Sequence, residues 1–177
     1  QVGIVDLMRR ELAEDAILDD VRFPCIVQPK IDGVRALNLN GTLTGRSLKP
    51  FEGYGITEFF SEPEFRGLDG EMTLGNKPNC SERLCSLTTG AMGRFKGVTE
   101  MPDPHWWVFD LVAEDTRHRE YLHRYEMLRG HVEAYDHPRI HLVPMHVTDN
   151  LKHLKHNIAE FAEQGYEGTI IRNPNAL

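Results

Sequence analysis

Apolar and polar positions along the chain switch between a period of two and a period near three and a half, and the switching lays out short strands and helices in turn. Val5, Met8, Leu12 and Ala16 recur at helical spacing and predict an N-terminal amphipathic helix. FPCIVQ then predicts a strand. Asp32-Gly33 and Asn40-Gly41 are hairpin-turn dipeptides, and VRALNLN between them carries Leu37 and Leu39 two apart, as a strand does. Lys30 therefore falls at a strand end beside a tight turn. Ile56, Phe59 and Phe60 suggest a short helix, whereas GLDGEMTL and HWWVFDLV read as buried strands. Residues 75–99 hold few apolar side chains and read as a surface excursion. Leu122, Tyr125, Leu128 and Val132 mark a further helix. RIHLVPMHV predicts a strand, followed by a helix on Leu151, Leu154, Ile158 and Phe161 that Thr148 or Asp149 caps and Gly165 ends in the left-handed region. YEGTIIRN is the last strand. The hairpins imply an α+β domain of antiparallel β-sheets flanked by helices.

Composition narrows the class. With 177 residues, 40% hydrophobic and 27% charged, one globular domain around one core is expected. No apolar run reaches the roughly 18 residues of a membrane span, and the first residues alternate charge with apolar character, so a cytoplasmic protein without membrane contact is expected. Cys25, Cys80 and Cys85 form no zinc-type pair and are expected as reduced thiols. A net charge of −7 excludes a protein that holds nucleic acid by bulk electrostatics, so any such contact must be local. All nine histidines lie from His105 onward, and the pairs His118 with His123 and His153 with His156 are spaced for proximity; without a completing ligand set they read as solvated helix faces. The chain lacks an initiator Met and stops at RNPNAL, which suggests a piece of something longer.

The chemistry begins at Lys30-Ile31-Asp32-Gly33-Val34-Arg35. A lysine at a strand end, pinned by a Gly turn and followed five residues later by an arginine, places an amine nucleophile and a phosphate-binding fork around one small space. By itself the hexapeptide fits an ordinary charged hairpin equally well. Three further segments decide between the two: Leu68-Asp69-Gly70-Glu71, Phe109-Asp110 at the end of WWVF, and Glu167-Gly168-Thr169-Ile170-Ile171-Arg172. In this order they resemble motifs I, III, IIIa and IV of the covalent nucleotidyltransferases, the superfamily of ATP-dependent DNA ligases, RNA ligases and mRNA capping enzymes. Thr44-Gly45-Arg46-Ser47 resembles the arginine-containing motif that follows the nucleophile, and Leu87 to Arg94 resembles the Thr/Gly-rich loop of compact bacteriophage ligases. The resemblance spans almost the whole chain, with 29 residues ahead of Lys30, and is to the small bacteriophage type of ATP-dependent DNA ligase.

The resemblance implies an ATP-grasp-like adenylation domain over residues 1–177, ending before motif V and without the C-terminal oligonucleotide-binding barrel. It implies an enzyme that seals nicks in duplex DNA through a lysyl-AMP intermediate, with ATP and Mg²⁺ (or Mn²⁺) as cofactors, nicked double-stranded DNA as partner and a monomeric state. Lys30 is then the nucleophile. A free lysine has a pKa of about 10.4, so cations must favour the neutral amine. Arg35 would grip ribose or a nick phosphate, and Arg46 the α-phosphate or the incoming 5′-phosphate. Glu71 would accept from ribose hydroxyls and Phe109 would stack on adenine. Glu167 is the first choice for a metal ligand and Asp110 a second. Arg172 stands where motif IV more often ends in lysine. Gln28, two before the nucleophile, stands where many ligases carry an acidic residue that meets the adenine amino group; its amide oxygen can accept likewise, but its NH₂ can serve guanine O6. Local cations for DNA are Arg46, Lys49, Arg83, Arg94 and Lys96, with 87–96 as the contacting loop. The alternatives are an RNA ligase or capping guanylyltransferase with the same lysine chemistry, and a catalytically silent nucleotide-binding module.

Overall fold

The computed structural model describes residues 4–8, 21–45, 57–75 and 103–175, with backbone alone at 4–8 and 57–58. Among the described residues nine strands and three α-helices follow one another: β1 (Ile4–Met8), β2 (Cys25–Pro29), β3 (Val34–Leu39), β4 (Thr42–Thr44), α1 (Thr57–Phe60), β5 (Leu68–Leu74), β6 (Pro104–Leu111), α2 (Tyr121–Tyr135), β7 (Ile140–Leu142), β8 (His146–Thr148), α3 (Leu151–Glu163) and β9 (Gly168–Arg172). They build two sheets, in the orders β1-β9-β2-β8 and β4-β3-β5-β6-β7. The expected α+β architecture is present, and every pairing is antiparallel except β6 with β7.

Each sheet buries one face under its own helix. Trp106, Val108, Leu68 and Met72 of the five-stranded sheet pack with Tyr121, Tyr125 and Leu128 of α2 and with Phe60 of α1. Leu154, Ile158 and Phe161 of α3, the stripe that the helical spacing picked out, cover Cys25, Val27 and Ile171 of the four-stranded sheet. The described residues thus hold two apolar clusters instead of the single expected core. Strand β2 serves both: side chains alternate across a strand, so Cys25 and Val27 point to α3 while Ile26 joins the other cluster.

Five local expectations are corrected. Ile4–Met8 is a strand paired with β9, not the start of a helix; Ile4 and Val5 are β-branched, and the open edge of β9 offers a full ladder of backbone partners. Asp32-Gly33 makes no hairpin, because β2 and β3 belong to different sheets; its glycine is needed because a Cβ there would stand 2.2 Å from the Met72 carbonyl oxygen. On β3 the core side carries Ala36 and Asn38, not the Leu37 and Leu39 alternation: Leu39 is exposed, and the Asn38 amide donates to the Phe60 and Glu62 carbonyls. RIHLVPMHV splits at Pro144 into β7 and β8, one in each sheet. Asn150, not Thr148 or Asp149, caps α3, its side chain accepting from the His153 N–H. The second hairpin is as read, with Asn40 and Gly41 both at positive φ between β3 and β4. Gly165 likewise has φ +93° after α3. The surface excursion over 75–99 lies outside the described residues beyond Gly75. No helix among the described residues is long and apolar enough to cross a membrane.

Candidate active site

A cavity of about 390 Å³ is lined by residues of both sheets. Its volume suits a nucleoside-sized ligand. From the four-stranded sheet and its connections come Gln28, Lys30, Asp32, Glu167, Ile170 and Arg172, and from the five-stranded sheet come Arg35, Glu71 and Phe109. The strand period explains the first group: Ile26 and Gln28 share one face of β2, and Lys30 continues it just past the strand end. The Lys30 N–H donates to the Gly168 carbonyl at 3.0 Å, which ties the lysine to the start of β9 and brings Glu167 beside it. In the second group, Arg35 and Glu71 are cross-strand partners on β3 and β5.

Phe109 reaches the cavity through an irregularity in the ladder. Asp69 pairs with Asp110 and Gly70 with Val108, so Phe109 is the extra residue of a β-bulge. A bulge re-aims a side chain that regular alternation would have placed elsewhere. Gly70 accommodates it, since a Cβ there would meet the Trp107 carbonyl oxygen at 2.2 Å. Two guanidinium groups lie near the Phe109 ring, Arg35 at 5.1 Å and Arg172 at 5.9 Å from its centroid.

The charges are arranged in pairs. Arg35 donates from Nε and Nη2 to the two Asp69 carboxylate oxygens at 2.8 and 2.5 Å. This fork holds the guanidinium pKa further up still; burial raises the Asp69 pKa, and the bidentate pair with Arg35 opposes that rise. Asp32 is pushed up to about 6, chiefly by burial and then by the adjacent Glu167, to which it is hydrogen-bonded. Two adjacent carboxyl groups beside a lysine form an acidic patch that can accept a cation. Arg172 is buried, stacks at 4.0 Å on the Tyr121 ring, and its Nε lacks a hydrogen-bond partner among the described residues; the same holds for Nε2 of Gln28. Both nitrogens belong to residues that line the cavity, and buried donors are ordinarily matched.

Of the residues read from sequence, Gln28, Lys30, Arg35, Glu71, Phe109, Glu167 and Arg172 come together here. Asp110 does not join them. It is buried and receives hydrogen bonds from Arg124 of α2, Nε at 2.9 Å and Nη2 at 3.3 Å, so its carboxylate is committed to a structural ion pair. Arg46, Lys49, Arg83, Arg94 and Lys96 lie outside the described residues. His118, His123, His153 and His156 are exposed, and no group of three or more His, Cys, Asp or Glu among the described residues is disposed to hold a metal. Sequence reasoning missed three participants: Asp32, taken for a turn residue; Asp69, the partner of Arg35; and Tyr121, taken for no role at all. For Asp32 a signal existed, an acidic residue two after the lysine, and hairpin chemistry obscured it.

Comparison with known proteins bears on the fold. The fold is similar to that of Chlorella virus DNA ligase-adenylate, with a TM-score of 0.72, 21% identity, and 90% of this chain matched to 58% of that one. It is similar to a Lig E DNA ligase, described as binding DNA with a minimal scaffold, with a TM-score of 0.63, 21% identity and coverages of 90% and 59%. It is also similar to the ATP-dependent DNA ligase of bacteriophage T7 in complex with ATP, with a TM-score of 0.57, 13% identity and coverages of 97% and 62%. The chain thus spans less than two thirds of the length of these structures. No curated protein sequence matches it. Residues 10–177 match the family model for the ATP dependent DNA ligase domain, and the chain belongs to that family.

Proposed function

We propose that the cavity binds ATP and that Lys30 becomes adenylated there, as the first step of sealing nicks in duplex DNA. The observation that carries this reading is the convergence, around one cavity, of a lysine, two arginines, an acceptor carboxylate and an aromatic ring drawn from four segments distant in sequence. In the first step the neutral Lys30 amine attacks the α-phosphorus; the N–P bond forms, the bond to the β-phosphate oxygen breaks, pyrophosphate leaves and the amine loses a proton. A 5′-phosphate oxygen at a nick then attacks the same phosphorus and frees Lys30. Finally the 3′-hydroxyl attacks the activated 5′-phosphate and AMP departs. Arg35 and Arg46 balance charge on the transferring phosphates, Glu71 accepts from ribose hydroxyls, and Phe109 stacks on the base.

Glu167 and Asp32 are the residues that would hold Mg²⁺ or Mn²⁺, and the ion would supply positive charge at the phosphates. Their closeness fits that role, because a divalent cation relieves the repulsion between two adjacent carboxylates. With a net charge of −7, duplex binding rests on local contacts, for which Arg46, Lys49, Arg94 and Lys96 are assigned. The test is a chase: the chain is labelled with ATP carrying a radioactive α-phosphate, then offered nicked duplex DNA or nicked duplex RNA. Label passing to the 5′-phosphate of DNA is expected. Transfer to RNA alone would favour the RNA-ligase reading, and a stable label that never leaves the protein would remove nick sealing.

A further inference from the structure

The register of the five-stranded sheet carries a row of side chains out of the cavity. Arg35 is opposite Glu71, Glu71 opposite Trp107, and Trp107 opposite His141, so the four stand side by side on β3, β5, β6 and β7 and share one face. Arg35 and Glu71 line the cavity, and the half-buried Trp107 and His141 continue the face beyond it. At about 4.8 Å per strand, His141 stands roughly 10 Å from Glu71. Trp107 holds it there, with its ring stacked on the His141 imidazole at 4.3 Å and its Nε1 donating to Thr73 Oγ1 at 2.9 Å.

His141 is also the end of a hydrogen-bonded chain. Its Nε2 lies 2.8 Å from Nδ1 of the buried His105, whose Nε2 lies 3.1 Å from Asp103 Oδ1, and Arg139 donates to the same Asp103 oxygen. The bond from Arg139 holds the Asp103 carboxyl below its ordinary pKa, so Asp103 is an ionised acceptor and His105 carries its proton at Nε2. His105 then offers a lone pair at Nδ1, to which His141 donates from Nε2. Every bond now has a direction, and Nδ1 of His141 is left with a lone pair and no hydrogen-bond partner among the described residues. A proton added there makes this end a donor without reversing any bond behind it. The resulting imidazolium rests against the Trp107 ring and is backed, through His105, by the Asp103 carboxylate. Burial first, then His105 and His137, hold the His141 pKa below the usual imidazole value. Those two histidines, Asp103 and Arg139 are the titratable and charged groups around it among the described residues.

We propose that His141 takes a backbone phosphate of the nicked duplex at Nδ1 and binds a proton as it does so, extending the DNA surface along the row that starts at Arg35. This rests on the nick-sealing reading given above. A phosphate oxygen only accepts, so the lone pair at Nδ1 has to be protonated to meet it, and contact and proton uptake are one event. A duplex carries one phosphate charge per about 1.7 Å of its axis, and the footprint of a single DNA-binding module, roughly 600–1,000 Å², reaches further than about 10 Å from its centre. A duplex that presents its nick at Lys30 therefore brings phosphates over His141 on the same face.

The experiment is equilibrium binding of the 177-residue chain to nicked duplex DNA over a range of salt, at about pH 6 and about pH 8. His141→Gln keeps an amide donor where Nε2 meets His105 and deletes the titrating nitrogen. Wild type is expected to bind roughly fivefold tighter than His141→Gln at the lower pH, with a salt slope steeper by about one, and the two should converge at the higher pH. A purely structural role would weaken binding alike at both pH values. Other histidines titrate in both chains, so the difference between the chains is what is read. If the variant does not fold, the His141 ring resonances of wild type are titrated with and without nicked duplex, and the duplex should raise the pKa. Equal pH dependence and salt slope in the two chains, or a His141 pKa that the duplex leaves in place, overturns the inference and leaves the nick-sealing reading standing. A wild-type chain that forms the lysine adduct but binds no nicked duplex takes down both.

Discussion

Asp69 and Asp110 are direct cross-strand partners on β5 and β6, and each is paired with an arginine, yet the two pairs serve different ends. The Arg35 side chain is 29% exposed, lines the cavity and stacks near Phe109, so Asp69 holds a cation at the cavity. The Arg124 side chain is 6% exposed, stacks beside Tyr121 and also donates to the Arg119 carbonyl, so Asp110 anchors α2 to the sheet. Two carboxylates facing each other on neighbouring strands are thus divided between cavity and architecture by which element supplies the guanidinium: β3 at the cavity, or α2 over the core. Asp110, read from its place after Phe109 as a metal ligand, lies on the architectural side of that division.

The contrast is broken most forcefully by Arg124→Met. Asp110 would be left buried without its partner, and thermal unfolding should show a loss of about 3–5 kcal/mol, the range for removing one member of a buried pair. A loss below about 1 kcal/mol would mean that the pair does not anchor α2. Phe109→Ala tests the cavity side, and calorimetry should find ATP affinity weaker by about 1–3 kcal/mol, the scale of aromatic stacking on a base. Unchanged affinity would return Phe109 to a packing role. Asp69→Asn keeps the shape but loosens the fork on Arg35. It is expected to slow adduct formation about tenfold, the loss of roughly one charge-assisted hydrogen bond, and to destabilise the fold less than Arg124→Met does. The smallest effect separates the carboxylates by metal: Glu167→Gln should raise the Mg²⁺ concentration needed for half-maximal adduct formation, whereas Asp110→Asn should leave it in place. A shift with Asp110→Asn of the same size as with Glu167→Gln would restore Asp110 as a ligand.

The same division explains what could be read from residues in order. Strand and helix positions around the site were legible where local pattern and tertiary demand coincide, as in HWWVFDLV or the stripe on α3, and the site residues of the motifs were legible as a set. Tertiary effects hid the rest. The pairing of Ile4–Met8 with β9 overrides a helical period, and Pro144 sends two halves of one apolar run into different sheets. No periodicity reveals the bulge that turns Phe109 into the cavity, or the reach of Tyr121 from α2 to Gln28 on β2. The role of Asp110 depends on Arg124, fourteen residues on, and becomes visible only once the helix is docked.

Lys30, held where the two sheets meet, is the proposed nucleophile. Incubation with ATP and Mg²⁺ followed by proteolysis and mass spectrometry tests it most directly. One AMP, on the peptide containing Lys30 and joined to that side chain, is the expected result, and Lys30→Arg, which keeps the charge without a usable nucleophile, should show none. An adduct of undiminished yield in Lys30→Arg, or one mapped to another lysine, would contradict it.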